Sequence, residues 1–174
     1  MYKYLIYFLI FSFFGWCTEV IFHIIKTGKI VNRGLCKGPI CPIYGVGICL
    51  SSLLLSSVKS FILLSTLSMA IATIVEFFVG LFVDKVLKRK LWDYTEEKGN
   101  ILGYVCPRFS LIWGVVCASV IRILPLLDPF VEFMSTPFGY ALAFILSIIA
   151  LVDIKAETLK KNISNEAKIK RITR

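Results

Sequence analysis

A carboxylate held inside hydrocarbon can bind a cation, share a proton or hydrogen-bond a neighbouring helix, and this chain carries two, Glu19 and Glu76. Each sits about two-thirds of the way along an apolar run and is followed by a polar loop with Asn, Gly and then Cys-Pro. Placing such a group at membrane depth costs roughly 2.5–3.5 kcal/mol on insertion scales, so two at matching positions need a compensating role. If the two carboxyls approach closely, both cannot ionise cheaply, and the pair would share a proton or hold a cation. The competing reading is that they only fix helix pairing.

Other polar residues fall in register with them. Ser12, Trp16, Glu19 and His23 recur at helical spacing, as do Ser65, Thr73, Glu76, Gly80 and Asp84, so each run presents one polar stripe. Such a stripe either faces a substrate or ion, or serves as polar contact between helices.

The elements that must position these residues are membrane helices. Hydrophobic residues make up 57% of the chain and charged ones 18%, more apolar surface than a soluble domain of 174 residues can hide. The apolar residues come in five blocks, 4–25, 39–58, 61–83, 109–123 and 136–152, each near the roughly 20 residues that cross a bilayer core. The fold expected is an all-α, polytopic membrane bundle of five transmembrane helices over 1–152, with a basic tail over 153–174. The fourth block is short and would need 102–107 as a broken first turn. The first is expected to be a permanent helix, because it exceeds a signal core and holds Glu19.

The net charge of +9 belongs to orientation and not to nucleic acid. Seventeen Lys and Arg residues follow the first, third and fifth blocks, and three (Lys3, Lys59 and Arg122) fall on the alternate segments. The positive-inside rule then gives an outside N-terminus and a cytoplasmic C-terminus in the inner or plasma membrane. The basic tail suits contact with anionic membrane lipids or plain solvation. The six cysteines are expected as free thiols, three of them in apolar blocks and three on the reducing side.

Aligned on their glutamates, segments 4–58 and 61–123 suggest a parallel two-hairpin repeat, with the fifth helix extra. Asn32, Gly38, Cys41-Pro42 and Tyr44-Gly45 correspond loosely to Asn100, Gly103, Cys106-Pro107 and Trp113-Gly114. Glycine and proline crowd both second-helix starts, which should therefore be broken or re-entrant. Helix N-termini there, beside Arg33, Lys37 and Arg108, would favour an anion; the alternative is an ordinary tight turn. Trp92-Asp93-Tyr94 beside Lys88-Arg89-Lys90 reads as an interfacial anchor. No Walker phosphate loop, Ser-His-Asp set or HExxH occurs, so no catalytic residue, cofactor or metal ligand is assigned.

Phe14-Gly15-Trp16-Cys17-Thr18-Glu19, Asn32-Arg33-Gly34 and Gly38-Pro39-Ile40-Cys41-Pro42-Ile43-Tyr44-Gly45 together resemble the putative type IV ABC-transporter permease family of CmpB-like membrane proteins. Glu76, Trp92-Asp93-Tyr94, Asn100, Gly103 and Trp113-Gly114 extend the resemblance to residue 120. It departs after Gly103, where an arginine is expected and Tyr104 stands, with Arg108 four residues on. The resemblance implies a permease; without a nucleotide-binding domain ATP-driven transport would need a separate ATPase subunit, and so small a bundle suits a homo- or hetero-oligomer.

The reading is a transporter component in which Glu19, Glu76, Trp16, His23 and Tyr44 face a polar interior near the cytoplasmic side. Asn32, Arg33, Gly38, Asn100 and Arg108 would line its mouth. The alternatives are a membrane enzyme acting on a lipid head group through Glu19 with His23, and a non-catalytic scaffold or sensor.

Overall fold

The computed structural model describes residues 2–29, 38–86, 88, 90–149 and 151–152. Among them the chain is all-helical, its one β feature an isolated bridge between Ile101 and Val105. The helices are α1 (Tyr2–Thr27), α2 (Pro42–Leu55), α3 (Phe61–Lys85), α4 (Pro107–Ile123), α5 (Asp128–Met134) and α6 (Pro137–Ile149). A 3-10 turn, Leu124–Leu127, joins α4 to α5.

Three helical stretches are long and apolar enough to cross a membrane: α1, α3 and the continuous Pro107–Met134. Their outward side chains, among them Phe14, Ile25, Ile62, Phe78 and Leu111, are half or more exposed. Water would penalise so much bare aliphatic and aromatic surface; lipid does not. The chain is an all-helical membrane bundle. One expected length changes. The fourth helical stretch gains its length beyond Ile123, through the 3-10 turn and α5; of 102–107 only Pro107 joins α4, and 101–105 form a turn closed by Ile101 N–H donating to the Val105 carbonyl. The fifth block forms α6, and the described residues 151–152 beyond it are also helical.

α1 packs on α2 and α3 on α4, and α2 joins the pairs by touching both α3 and α4. Prolines open both second helices, Pro42 and Pro107, where a missing N–H is unneeded. Ser60 caps α3 by accepting from Leu63 N at 3.4 Å. Two apolar cores fix one end of the bundle. Ile6, Tyr7, Leu124, Val131, Met134 and Ala143 gather where α1 meets α5 and α6, and Leu55, Leu64, Ala118 and Ile121 where α2 and α3 meet α4. Arg122 donates to the Val58 and Lys59 carbonyls, and Tyr2 to the Met134 carbonyl at 2.6 Å.

α2 starts deep. The backbone N–H of Cys41, immediately before Pro42, donates to the Ser12 carbonyl at 2.9 Å, near the middle of α1. α2 therefore begins beside the middle of α1 and not at the level of its end. With that deep start α2 has 14 residues where the apolar block has 20. Among the described residues Cys17, Cys41, Cys49, Cys106 and Cys117 form no disulfide.

Candidate functional site

Glu19 stands 8 residues before the end of α1 and Glu76 9 before the end of α3, so helix geometry gives them nearly equal distances from their helix ends. Each carboxylate accepts a phenolic hydrogen bond. Tyr44 Oη donates to Glu19 Oε1 at 2.6 Å, and Tyr94 Oη donates to Glu76 Oε1 at 2.9 Å. Tyr44 comes from α2 and Tyr94 from the loop after α3. Gly15 makes the first contact possible, because a Cβ there would overlap the Tyr44 ring.

The other rings complete the enclosure. Trp113, from α4, meets Tyr44 edge-to-face with centroids 4.9 Å apart, and Tyr94 stacks on Phe109 at 4.8 Å. Trp92 Nε1 donates to the Tyr104 carbonyl at 2.8 Å, which turns its ring inward beside Gly80. Glu19, Tyr44, Glu76, Trp92, Tyr94 and Trp113 line one cavity of about 80 Å³, with Ile48, Val75 and Val116 as its apolar wall. That is room for a few waters or a small head group.

Glu76 is 5% exposed, and its Oε2 is buried with no hydrogen-bond partner. The Trp113 indole faces this carboxylate without reaching hydrogen-bond geometry, and Glu19 lies within electrostatic reach of it. Tyr94 keeps its proton: burial, and then the Glu76 charge, push its phenol further above the ordinary range, so it remains a donor.

The loop that delivers Trp92 and Tyr94 is folded by its own polar groups. Asn100 Nδ2 donates to the Glu97 carbonyl at 2.8 Å and the Thr95 carbonyl at 3.2 Å, while its Oδ1 accepts from Gly103 N. Gly103 has φ +73°, and a Cβ there would meet Thr95 Cγ2 at 2.8 Å. Tyr104 Oη donates to Asp84 at 2.6 Å, fastening the loop to the end of α3. Asp93 accepts from Lys90 at 3.0 Å and from Thr95 N at 3.1 Å; the lysine, then the backbone amide, hold its carboxyl below the usual carboxylate range.

Of the residues assigned from sequence, Glu19, Glu76 and Tyr44 meet at the cavity. Trp16 and His23 lie on α1 outside the lining, with Trp16 against Phe13. Gly38 sits just before α2, where its carbonyl accepts from Ile40 N. Asn100 orders the loop and does not line the cavity. Arg108 is exposed and pairs with Glu97 at 3.6 Å, away from the lining. Asn32 and Arg33 fall outside the described residues, as does the tail from Asp153. The expected basic surround is therefore not what the described lining offers: its charged side chains are carboxylates. Sequence reading missed Trp92, Tyr94 and Trp113 as site residues, having taken Trp92-Asp93-Tyr94 for a surface anchor. A donor phenol 18 residues after a buried glutamate, in a loop long enough to return, was the available signal.

Both hairpins close around the same register. A Cβ on Gly45 would meet the Phe8 carbonyl oxygen and Ser12 Oγ; one on Gly114 would meet the Ser65 carbonyl oxygen and Met69 Cβ. Phe8 and Ser12 stand 11 and 7 residues before Glu19, and Ser65 and Met69 stand 11 and 7 before Glu76. No curated protein and no solved structure matches the chain. Residues 6–157 match the model of the family described as "Putative ABC-transporter type IV", and the chain belongs to that family.

Proposed function

We propose that this protein is a permease-like component of a membrane transporter, and that the cavity between Glu19 and Glu76 is where it holds a transported or coupling cation. One observation carries the reading. Three of the four relevant features, the two phenol bonds and the aromatic contacts, could serve helix packing alone, but Glu76 Oε2 is buried beside the cavity with no partner. A bare carboxylate oxygen at that depth costs stability unless something charged compensates it. A scaffold whose glutamates only paired helices would have no use for it.

The membrane arrangement belongs to the same proposal: five spans with the N-terminus outside, in the cell membrane, and segments 4–58 and 61–123 as duplicated hairpins. The shared register at Gly45 and Gly114 supports the duplication. The second copy has one extra turn, Pro107 preceding Gly114 by 7 residues where Pro42 precedes Gly45 by 3. In the first copy, the non-helical residues 38–41 take that place. Energy from ATP would come through a separate ATPase subunit, since these residues carry no phosphate loop. A bundle this small suits a homo- or hetero-oligomer.

The test is Glu19→Gln and Glu76→Gln in cells that depend on the chain. Loss of uptake with membrane expression retained is expected for both. Full uptake in Glu76→Gln, or collapse of expression in both variants, would assign the carboxylates to helix pairing.

A further inference from the structure

We infer that the cation held by this cavity is an organic ammonium, recognised by an aromatic cage as well as by charge. The inference rests on the transport reading above and narrows it to a ligand class.

The composition of the lining decides between a metal ion and an organic one. Ca²⁺ takes six to eight oxygen ligands and Mg²⁺ six, to replace most of a tightly held hydration shell. Here the charged oxygens come from Glu19 and Glu76, and Oε1 of each already accepts a tyrosine proton. No cluster of three or more His, Cys, Asp or Glu side chains converges among the described residues. A hard ion would leave water and find too few replacements.

An alkylated ammonium has the opposite needs. It is weakly hydrated, spreads its charge over methyl or methylene groups, and is attracted to the faces of aromatic rings. Four rings, Tyr44, Trp92, Tyr94 and Trp113, line the cavity with the two glutamates. Each phenol hydroxyl is turned to a carboxylate, the Trp92 N–H to a backbone carbonyl and the Trp113 indole toward Glu76, so ring carbon rather than free donor hydrogen dominates the enclosure. Of the two carboxylates Glu76 is the buried one, and its Oε2, without a hydrogen-bond partner, is the counter-charge. A head group of trimethylammonium kind would neutralise it while its methyl groups meet the rings.

The test uses purified full-length protein in detergent, carrying Trp16→Phe so that Trp92 and Trp113 supply the fluorescence. Choline is titrated at constant ionic strength against 3,3-dimethylbutanol, its neutral isostere. Saturable quenching by choline is expected, with the neutral analogue at least tenfold weaker. Trp113→Leu and Trp92→Leu should each weaken choline binding between about twofold and thirtyfold, the range of a single cation–π contact. Trp113→Phe, which keeps a ring, should retain most of it, and its melting temperature separates lost binding from lost folding. Glu76→Gln should abolish the choline response. Equal binding of the neutral analogue, or choline binding untouched in Glu76→Gln, would overturn the inference. So would a response to sodium or to pH that needs Glu76 while choline gives none; in that case the two-glutamate transport site survives and only its ligand class falls. Unchanged uptake in Glu19→Gln and Glu76→Gln would bring down both.

Discussion

Gly45 and Gly114 hold the same position in two different hairpins. Each lies against a backbone carbonyl 11 residues before a buried glutamate, and against the side chain 7 residues before it. Neither approach leaves room for a Cβ, so helix α2 meets α1, and α4 meets α3, backbone to backbone. Small residues at such crossings let dispersion act over more atoms, the main attraction available between helices in lipid. The close crossings also fix the angle at which Tyr44 and Trp113, each one residue earlier, enter the cavity.

Adding a methyl group should therefore be costly at both glycines. Gly45→Ala and Gly114→Ala are expected to lose about 1–3 kcal/mol each, as overpacked cores do. Gly47 faces open space, and Gly47→Ala should stay within about 0.5 kcal/mol of the parent. Thermal unfolding in detergent reads all three. Equal melting temperatures across the set would show that the crossings do not depend on bare backbone.

The phenols make unequal contributions. Glu76 is the more buried carboxylate and already has one bare oxygen, so Tyr94→Phe leaves it without any hydrogen bond. A bond to a charged group is worth about 1.5–3 kcal/mol, and Tyr94→Phe should approach the upper figure, with Tyr44→Phe below it. The double variant Tyr94→Phe with Glu76→Gln should recover part of that loss, because the charge needing the phenol is gone. Strict additivity of the two changes would indicate that the bond is weak in the membrane.

Much of this arrangement is legible in the sequence because hydrocarbon restricts where polar groups go. Glu19 and Glu76 stand out by type and depth, and Cys-Pro followed by an aromatic-Gly pair marks both second helices. Glycine and proline content left the start of α2 open between a broken entry and a tight turn, and the Cys41 N–H bond to the Ser12 carbonyl is what sets it deep. What could not be read is the path of the 91–106 loop. Its turn depends on Asn100 bonding three backbone groups and on left-handed backbone at Leu102 and Gly103, and these contacts swing Tyr94 onto Glu76. Nothing in local spacing separates that from a loop whose aromatics rest at the interface. The continuation of the fourth helical stretch past Ile123 was not legible either. Pro125 and Pro129 suggest a stop, yet each sits in the first turn of a new helical segment, where proline needs no donor.

Loop geometry gives the third prediction. Gly103→Ala would place a Cβ against Thr95 and Asp93 at a left-handed φ, costing on the order of 1–3 kcal/mol locally. Hydrogen exchange should then rise across 93–105, and Tyr94 should lose its hold on Glu76 even though neither residue is altered. The Asp93 carboxyl is held low by Lys90 and the Thr95 amide, so its support of the turn is present above the ordinary carboxylate pKa of about 4. That support disappears only as pH falls through the lowered value. Asp93→Asn should show no such acid transition, whereas a transition centred near neutrality in the parent would point to a different group.

Orientation supplies the last prediction. At one end of the bundle Arg122 donates to the Val58 and Lys59 carbonyls and, separately, Tyr2 donates to the Met134 carbonyl; that end carries Lys3, Lys59 and Arg122. The opposite end carries Lys29 just past α1, Lys90 and Lys98 around the loop after α3, and Arg108 in the first turn of α4. Translocating the second set would move far more positive charge against the membrane potential, at about 2.3 kcal/mol per charge per 100 mV. The 91–106 loop should therefore face the cytoplasm and the 135–136 turn the outside. Single cysteines at 93 and at 136, in a background where the native cysteines are replaced, can be probed with an impermeant maleimide on intact cells. Position 136 should label in intact cells and position 93 only after permeabilisation. Labelling of position 93 from outside would invert the topology and place the glutamate cavity nearer the outer face.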